Sequence, residues 1–177
     1  ANLTITPLAV AVTADAGQTK VYGAANPASY TYTSSPAVGS PLANGHTIAF
    51  IGAQVRAAGE DVGSYVISQG SLNNTNYSIS YTGGTFTITQ RPISITVNSG
   101  QTKIFGTSDP LPFTYTVGGS GLATWDEFTG SLDRVAGETV PGSPYAISQG
   151  SLTIRNATTL ASAYSNYAPT FSGANFT

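Results

Sequence analysis

The chain contains no cysteine, no methionine and only one histidine among its 177 residues. The absence of cysteine excludes a disulfide framework, thiol catalysis and thiolate metal sites. Charge is also scarce, since 8% of the residues are Asp, Glu, Lys or Arg, against roughly 25% in typical globular domains. Ser, Thr, Asn and Gln must therefore form most of the polar surface, without the Lys and Glu that favour exposed helices. This composition predicts a mostly β protein.

Nucleic acid and membrane are both poor partners for such a chain. The six basic residues are scattered and the net charge is −2, so no basic patch is expected. No apolar run approaches the roughly 18 residues that span a bilayer. Residues 1–15 also lack the basic and then apolar pattern of a signal peptide. We therefore expect neither a nucleic-acid partner nor membrane insertion of this segment.

Two parts of the sequence match each other in register, which is typical of tandem modules. The matching pairs are GQTKVYG at 17–23 with GQTKIFG at 100–106, YVISQGSL at 65–72 with YAISQGSL at 145–152, and YSISYTGGTFT at 77–87 with YAPTFSGANFT at 167–177. The sequence therefore predicts one module at residues 7–90 and a second at residues 91–177. Modules of this size gain stability by docking on their neighbours, so adjacent repeats are the first expected partners.

The ends of the chain and one insertion depart from a simple doubling. Residues 2–6 read NLTIT and resemble TFTIT at 85–89, so residues 1–6 are predicted to be the tail strand of a preceding repeat. The second copy stops one or two residues short of the end of that strand, and we expect the parent protein to continue on both sides. Residues 153–165 replace the shorter stretch 73–75 and are predicted to be a surface-loop insertion.

Alternation of apolar and hydroxyl side chains predicts the strands. Ile93, Ile95 and Val97 alternate with Ser94 and Thr96, as expected for a strand with one buried face. Four positions exchange one aromatic residue for another between the copies and are predicted to be core. These are Tyr22 with Phe105, Tyr30 with Phe113, Tyr81 with Phe171, and Phe86 with Phe176. A helix of one or two turns is expected only around residues 42–50 and 122–128.

The recurring residues form a family motif. It runs lysine, aliphatic, aromatic, glycine, then Asn-Pro or Asp-Pro, Gly-Glu, Tyr-x-Ile-x-x-Gly-x-Leu, Asn-Tyr and a closing Phe-Thr-Ile. The first copy has Lys20 to Gly23, Asn26-Pro27, Gly59-Glu60, Tyr65 to Leu72, Asn76-Tyr77 and Phe86-Thr87-Ile88. The second copy has Lys103 to Gly106, Asp109-Pro110, Gly137-Glu138, Tyr145 to Leu152, Asn166-Tyr167 and Phe176-Thr177. This motif resembles the bacterial MBG repeat of the YGX type.

The resemblance implies both a fold and a biological setting. It implies a β-grasp-like, mostly β unit, for which an Ig-like β-sandwich is the alternative. Similar domains occur as strings in large secreted bacterial surface proteins, often beside filamentous-haemagglutinin-like regions, where they look like adhesin stalk modules. The family has no catalytic residues to carry over. We therefore expect a secreted, cell-surface protein without enzymatic activity.

The sequence gives little support for a catalytic site or a metal site. His46 has no counterpart in the second copy, so a Ser/His/Asp site is disfavoured and an exposed turn histidine is favoured. The acidic pairs Glu60-Asp61 and Asp126-Glu127 are interpreted as solvated turns. Calcium would need several oxygen ligands, whereas the stretch TQRP at 89–92, where the modules meet, has a cation and no carboxylate. No cofactor is therefore predicted, and calcium is an unsupported alternative.

One group of residues is a candidate ligand contact. Trp125 lies beside Asp126 and Glu127 and has no counterpart in the first copy. An aromatic face with nearby acceptors suits a sugar ring, although a lone Trp more often packs in a core. Two functions therefore remain open. The first is a structural spacer that projects a distal binding domain, and the second is a module that binds carbohydrate, a mucin-like ligand or a like chain.

Overall fold

The computed structural model describes residues 2–177 and shows an all-β chain, so the predicted mostly β fold with two tandem modules is confirmed. The chain divides into unit 1, which extends to Thr89, and unit 2, Gln90–Thr177. Between residues 2 and 177 the helical structure is limited to two short 3-10 turns, Val140–Gly142 and Tyr164–Asn166. Each unit is described in turn.

The described part of unit 1 contains seven strands in two sheets. They are β1 Leu8–Ala14, β2 Gln18–Val21, β3 Tyr32–Ser35, β4 Val55–Arg56, β5 Gly63–Ser68, β6 Tyr77–Thr82 and β7 Gly84–Thr89. One sheet has the order β3-β1-β6, in which β1 is antiparallel to β3 and parallel to β6. The other has the order β2-β7-β5-β4, in which only β2 and β7 are parallel.

The core of unit 1 follows from the alternation in β1 and β7. Val10 and Val12 of β1 point inward and pack with Leu72 against the aromatic residues of the first sheet. Phe86 and Ile88 of β7 are fully buried in the second sheet. Each such burial stabilises the fold by about 1.5–3 kcal/mol. The hydroxyl-bearing neighbours of these residues face outward, as the period of two requires.

Unit 2 repeats this arrangement and adds a third sheet. Its strands are β8 Arg91–Val97, β9 Tyr115–Gly119, β10 Asp126–Thr129, β11 Asp133–Arg134, β12 Tyr145–Ser148, β13 Thr153–Asn156, β14 Tyr167–Ser172 and β15 Ala174–Phe176. The orders are β9-β8-β14, β11-β12-β15 and β10-β13. The parallel pair β8-β14 corresponds to β1-β6, and the antiparallel pair β12-β15 corresponds to β5-β7.

Two predictions are wrong, namely the short helices at 42–50 and 122–128 and the surface loop at 153–165. Residues 122–128 form no helix, and their second half belongs to β10; residues 42–50 form turns and a bridge. The insertion at 153–165 is not a simple surface loop, because it begins with β13, whose Ile154 is fully buried. Ile154 lies opposite Phe128 of β10. This apolar pair explains why both segments become strands: each supplies the ladder and the apolar neighbour that the other needs.

One predicted core position is wrong. Tyr22 is 3% exposed in unit 1, whereas its counterpart Phe105 is 69% exposed in unit 2. In unit 1 the Tyr22 N–H donates to the Thr89 carbonyl at 2.9 Å, at the end of β7. In unit 2 the corresponding strand, β15, ends at Phe176.

Candidate functional site

Each unit holds a charged cluster on one face of its second sheet. The cluster of unit 1 contains Lys20, Asn26, Arg56 and Glu60, and the cluster of unit 2 contains Lys103, Asp109, Arg134 and Glu138. The lysine comes from β2 or its counterpart, and the arginine from the short strand β4 or β11. The glutamate follows the arginine by four residues, and the Asn or Asp lies in the Asn-Pro or Asp-Pro turn. The clusters therefore join segments that are far apart in the sequence.

In unit 1 the arginine is held between two rings. The Arg56 guanidinium carbon lies 5.0 Å from the ring centre of Tyr65 and 5.5 Å from that of Phe86. Its Nη1 donates to the Ala57 carbonyl at 2.9 Å, and its Nη2 donates to Asn26 Oδ1 at 3.1 Å. Glu60 accepts from both Arg56 and Lys20. Cation–π contact and charge-assisted hydrogen bonds thus act on the same side chain.

In unit 2 the arginine has the same position and a stronger partner. Arg134 lies 5.4 Å from the ring centre of Tyr145 and 5.1 Å from that of Phe176. Asp109 accepts from Arg134 Nε at 2.7 Å and from Nη2 at 3.0 Å, which is the bidentate geometry favoured by Arg and carboxylate. Lys103 pairs with Asp109 at 2.8 Å and also with Glu138.

The ion pairs change the acidity of the groups in the clusters. The hydrogen bonds from Arg134 and Lys103 lower the pKa of Asp109 to about 2. The pKa of Glu138 is lowered by Lys103 and Arg134, and that of Glu60 is lowered chiefly by Lys20. The hydrogen bonds to Asp109 and Glu138 raise the pKa of Lys103. These carboxylates are therefore stabilised as anions and are unsuited to act as general acids at neutral pH.

A glycine next to each glutamate permits this geometry. Gly59 and Gly137 have φ of +138° and +152°, and a Cβ on either one would overlap the ring of Tyr65 or Tyr145. The same rings contact the arginines. The Tyr65 hydroxyl donates to the Asp61 carbonyl at 2.7 Å, and the Tyr145 hydroxyl donates to the Thr139 carbonyl at 2.8 Å. The recurring Gly-Glu and Tyr of the sequence motif thus belong to the same charged cluster in each unit.

Sequence reasoning identified these residues as a motif but not as a cluster. The available signal was the recurrence of charge in a chain with little of it, because four of its six basic residues occupy equivalent positions in the two copies. The interpretation of the acidic pairs as solvated turns was also incomplete. Glu60 belongs to the charged cluster, and Asp126 is buried.

The predicted ligand contact lies on and next to β10. Trp125 is 38% exposed. The buried Tyr167 hydroxyl donates to Asp126 Oδ2 at 2.7 Å. The same hydroxyl oxygen of Tyr167 accepts from the Ala123 N–H at 2.9 Å. Glu127 accepts from Arg155 of β13 at 2.8 Å. The two carboxylates are therefore engaged within unit 2, and a sugar ring would contact mainly the indole of Trp125. The ligand contact itself stays a prediction.

His46 lies in a separate, open groove of unit 1. This groove has a volume of about 960 Å³ and is lined mainly by polar residues, among them Asn44, Asn74 and Asn76. Across residues 2–177, no three His, Cys, Asp or Glu side chains come close enough to hold a metal ion. None of the helical turns in that range has the length and hydropathy of a membrane span.

Two successive units that share the corresponding pairs β1-β6 and β8-β14, and that each hold a corresponding charged cluster, define a tandem β-repeat protein. The sequence profile of the MBG domain (YGX type) matches residues 10–87 and 93–177, so the chain belongs to this family. No curated protein and no solved structure matches the chain. The MBG family is a structural or adhesin-type module and not an enzyme family, and it is associated with extracellular repeat regions of adhesin-like surface proteins.

Proposed function

We propose that the chain is a pair of stalk modules in an extracellular bacterial adhesin, which project a distal adhesive region away from the cell surface. The observation that carries this proposal is the repetition of the charged cluster. Seven of the fourteen charged residues are paired with one another within these two clusters. They stabilise the units from within instead of forming a charged surface for a partner.

The remaining surface supports the same function. Ser, Thr and Asn side chains cover the outward faces of the strands, for example Ser78 and Ser80 of β6. Such a surface has few basic sites for proteases and little charge for nonspecific binding. A stalk module has to be stable and inert, and both properties follow from this distribution of polar groups.

The experiment that tests the stalk function is a replacement in the parent adhesin on cells. Deletion of residues 7–177 is expected to reduce adhesion of cells while leaving the isolated distal region able to bind its target. Two unrelated β modules of similar length, inserted at the same place, are expected to restore adhesion. If unrelated modules fail to restore adhesion although the adhesin reaches the surface in equal amounts, the pair does more than provide length.

A second candidate function is carbohydrate binding by unit 2. The observation that favours it is the partial exposure of Trp125, which has no counterpart in unit 1. A glycan array is the direct test, and the matched variant is Trp125→Ala. Reproducible binding that Trp125→Ala abolishes would establish the binding function, and an array without signal would support the stalk function alone.

A further inference from the structure

Strand β6 of unit 1 lies at the edge of its sheet. In the order β3-β1-β6 its neighbour is β1, and the two strands run in parallel. The Leu8 N–H donates to the Asn76 carbonyl at 2.9 Å. Because the main-chain groups of successive strand residues point alternately to either side, Ser78 and Ser80 also bond to β1. The N–H and C=O groups of Ile79, which lies between them, therefore point away from the sheet.

Unit 2 has a proline at the equivalent position of its own edge strand. Pro169 occupies the place in β14 that Ile79 occupies in β6, since each lies opposite the third residue of the adjoining parallel strand. A proline is tolerated there because its missing N–H would point away from β8. The same proline removes the donor that an added strand would need. Strand β6 has an isoleucine at this position and retains that donor.

Strand β6 also lacks the other features that prevent strands from pairing at an edge. Natural edge strands are commonly very short or carry a charged residue. Strand β4 has two residues and includes Arg56, and β2 includes Lys20. The six residues of β6 read YSISYT and contain no charge, proline or glycine. Ile79 packs against the core but stays partly exposed, whereas Val10 on the central strand is 2% exposed. The edge therefore offers main-chain groups and apolar surface together.

The sequence of β6 fits a second copy of itself. Residues 77–81 read YSISY, which is the same in both directions. In an antiparallel pair centred on Ile79, Ser78 lies opposite Ser80 of the other copy, and Tyr77 likewise lies opposite Tyr81. The two Ile79 residues then exchange both of their main-chain bonds, and each Tyr81 N–H donates to the Tyr77 carbonyl of the other copy. Donors thus meet acceptors, and no like charges, which would oppose the pairing, are brought together.

We propose that β6 is a contact surface for a second copy of this chain, which adds its own β6 in antiparallel orientation. The same residues serve on both sides, so the contact is isologous and joins two molecules. Main-chain hydrogen bonds hold the strands, and the Ile79 side chains set the register. A single strand pair is a small interface, so association is expected at high protein concentration. This inference does not depend on the stalk function, because it rests on the edge geometry and the residues of β6 alone.

The register of the contact can be tested by disulfide trapping, since the chain has no cysteine of its own. In the proposed pair the Cβ atoms of Ser78 and Ser80 are about 4.5–5.5 Å apart. Both serines are exposed, so Ser78→Cys chains and Ser80→Cys chains are mixed and oxidised without a change in the core. The control mixture contains Ser80→Cys and Thr82→Cys chains. Thr82 is exposed on the same face, but position 82 lies opposite position 76 and far from position 80. The mixed dimer, counted by mass spectrometry, should exceed the control by about tenfold.

A second experiment places like charges on the contact. A chain with Ser78→Lys and Ser80→Lys sets each lysine opposite a lysine of the other copy. Association at high concentration, measured by analytical ultracentrifugation, should fall by about tenfold. Mixing this chain with one that has Ser78→Glu and Ser80→Glu should restore association, because opposite charges then meet. The matched control has lysines at the equivalent exposed positions of β14, Ala168 and Thr170, and should associate like the unsubstituted chain.

Four outcomes would each overturn the proposal. They are equal trapping in both cysteine mixtures, an unsubstituted chain that stays monomeric at high concentration, lysines on β14 that act as strongly as lysines on β6, and a mixture of the lysine and glutamate chains that fails to associate.

Discussion

The charged clusters of the two units share a lysine, a glutamate and an arginine between two aromatic rings, and they differ at one turn residue. In unit 2, Asp109 binds both Nε and Nη2 of Arg134. In unit 1, Asn26 binds only Nη2 of Arg56, and within residues 2–177 nothing accepts from the buried Arg56 Nε. The stacking of the arginine between two rings is thus common to both units, whereas full hydrogen bonding of the guanidinium depends on the carboxylate of Asp109.

The largest expected effect comes from removing the arginine of unit 2. Arg134→Ala should lower the free energy of unfolding of unit 2 by about 3–5 kcal/mol, because it leaves two carboxylates with Lys103 alone and removes the stacking. Urea unfolding followed by Trp125 fluorescence reports this unit selectively, since Trp125 is the only tryptophan. The matched control is Arg155→Ala, which removes a more exposed ion pair with Glu127 and should cost less than about 1 kcal/mol. Equal losses would contradict a special role of the cluster.

Substitution of Gly137, the glycine next to Glu138, should cause the second largest loss of stability. Gly137→Ala places a methyl group into the Tyr145 ring and should destabilise unit 2 by about 2–4 kcal/mol. Gly100→Ala is the matched control, because Gly100 has a positive φ but open space around it. Its cost is the backbone strain alone, about 1–2 kcal/mol. The same Trp125 fluorescence assay compares the free energies of unfolding of the two variants. If Gly100→Ala is as unstable as Gly137→Ala, backbone strain and not overlap with the Tyr145 ring causes the loss of stability.

Asp109→Asn converts the cluster of unit 2 to the pattern of unit 1. The expected loss at neutral pH is about 1–3 kcal/mol, the usual range for a charged hydrogen bond. The pKa of Asp109 is about 2 in the folded unit, below its ordinary value of 3.8. Its contribution is therefore complete above about pH 4 and is lost as the pH falls towards 2.

The pH dependence supplies the measurement. Between pH 5 and pH 2, the free energy of unfolding of unit 2 should fall more steeply in the unsubstituted chain than in Asp109→Asn. The difference between the two proteins should be greatest at neutral pH and should disappear near pH 2. A difference that stays constant over this range would mean that Asp109 acts by packing and not by charge.

The smallest effect is expected for the reverse change in unit 1. Asn26→Asp adds a second carboxylate beside Arg56 and should stabilise unit 1 by about 0.2–1 kcal/mol, because residue 26 is exposed. Hydrogen exchange of the β7 amides measures unit 1 without interference from unit 2. High salt should reduce the gain, and a gain that salt leaves unchanged would exclude an ionic origin.

The repeat made much of this fold predictable. Matching segments defined two modules, and alternation in residues such as Ile93 and Ile95 predicted β8. The strand at Thr153–Asn156 was missed because its formation depends on a partner, β10, that lies far away in the sequence. The β-grasp-like arrangement stays a prediction.

The charged clusters show why a site is harder to predict than a module. Lys20 and Glu60 are forty positions apart, and only the order β2-β7-β5-β4 brings them to one face. Tyr22 is likewise buried beside the end of β7, where its N–H donates to the carbonyl of the distant Thr89. A local pattern contains neither fact, although the recurrence of charge at matching positions indicated that these residues belong together.

The parallel pairs of unit 1 have a mechanical consequence. β1 begins the unit and pairs in parallel with β6, and β7 ends the unit and pairs in parallel with β2. If the two ends of the unit are pulled apart, the strands of each parallel pair are drawn in opposite directions along their length. Their hydrogen bonds are then loaded together in shear and not opened one after another. This topology thus favours resistance of unit 1 to tension applied at its two ends.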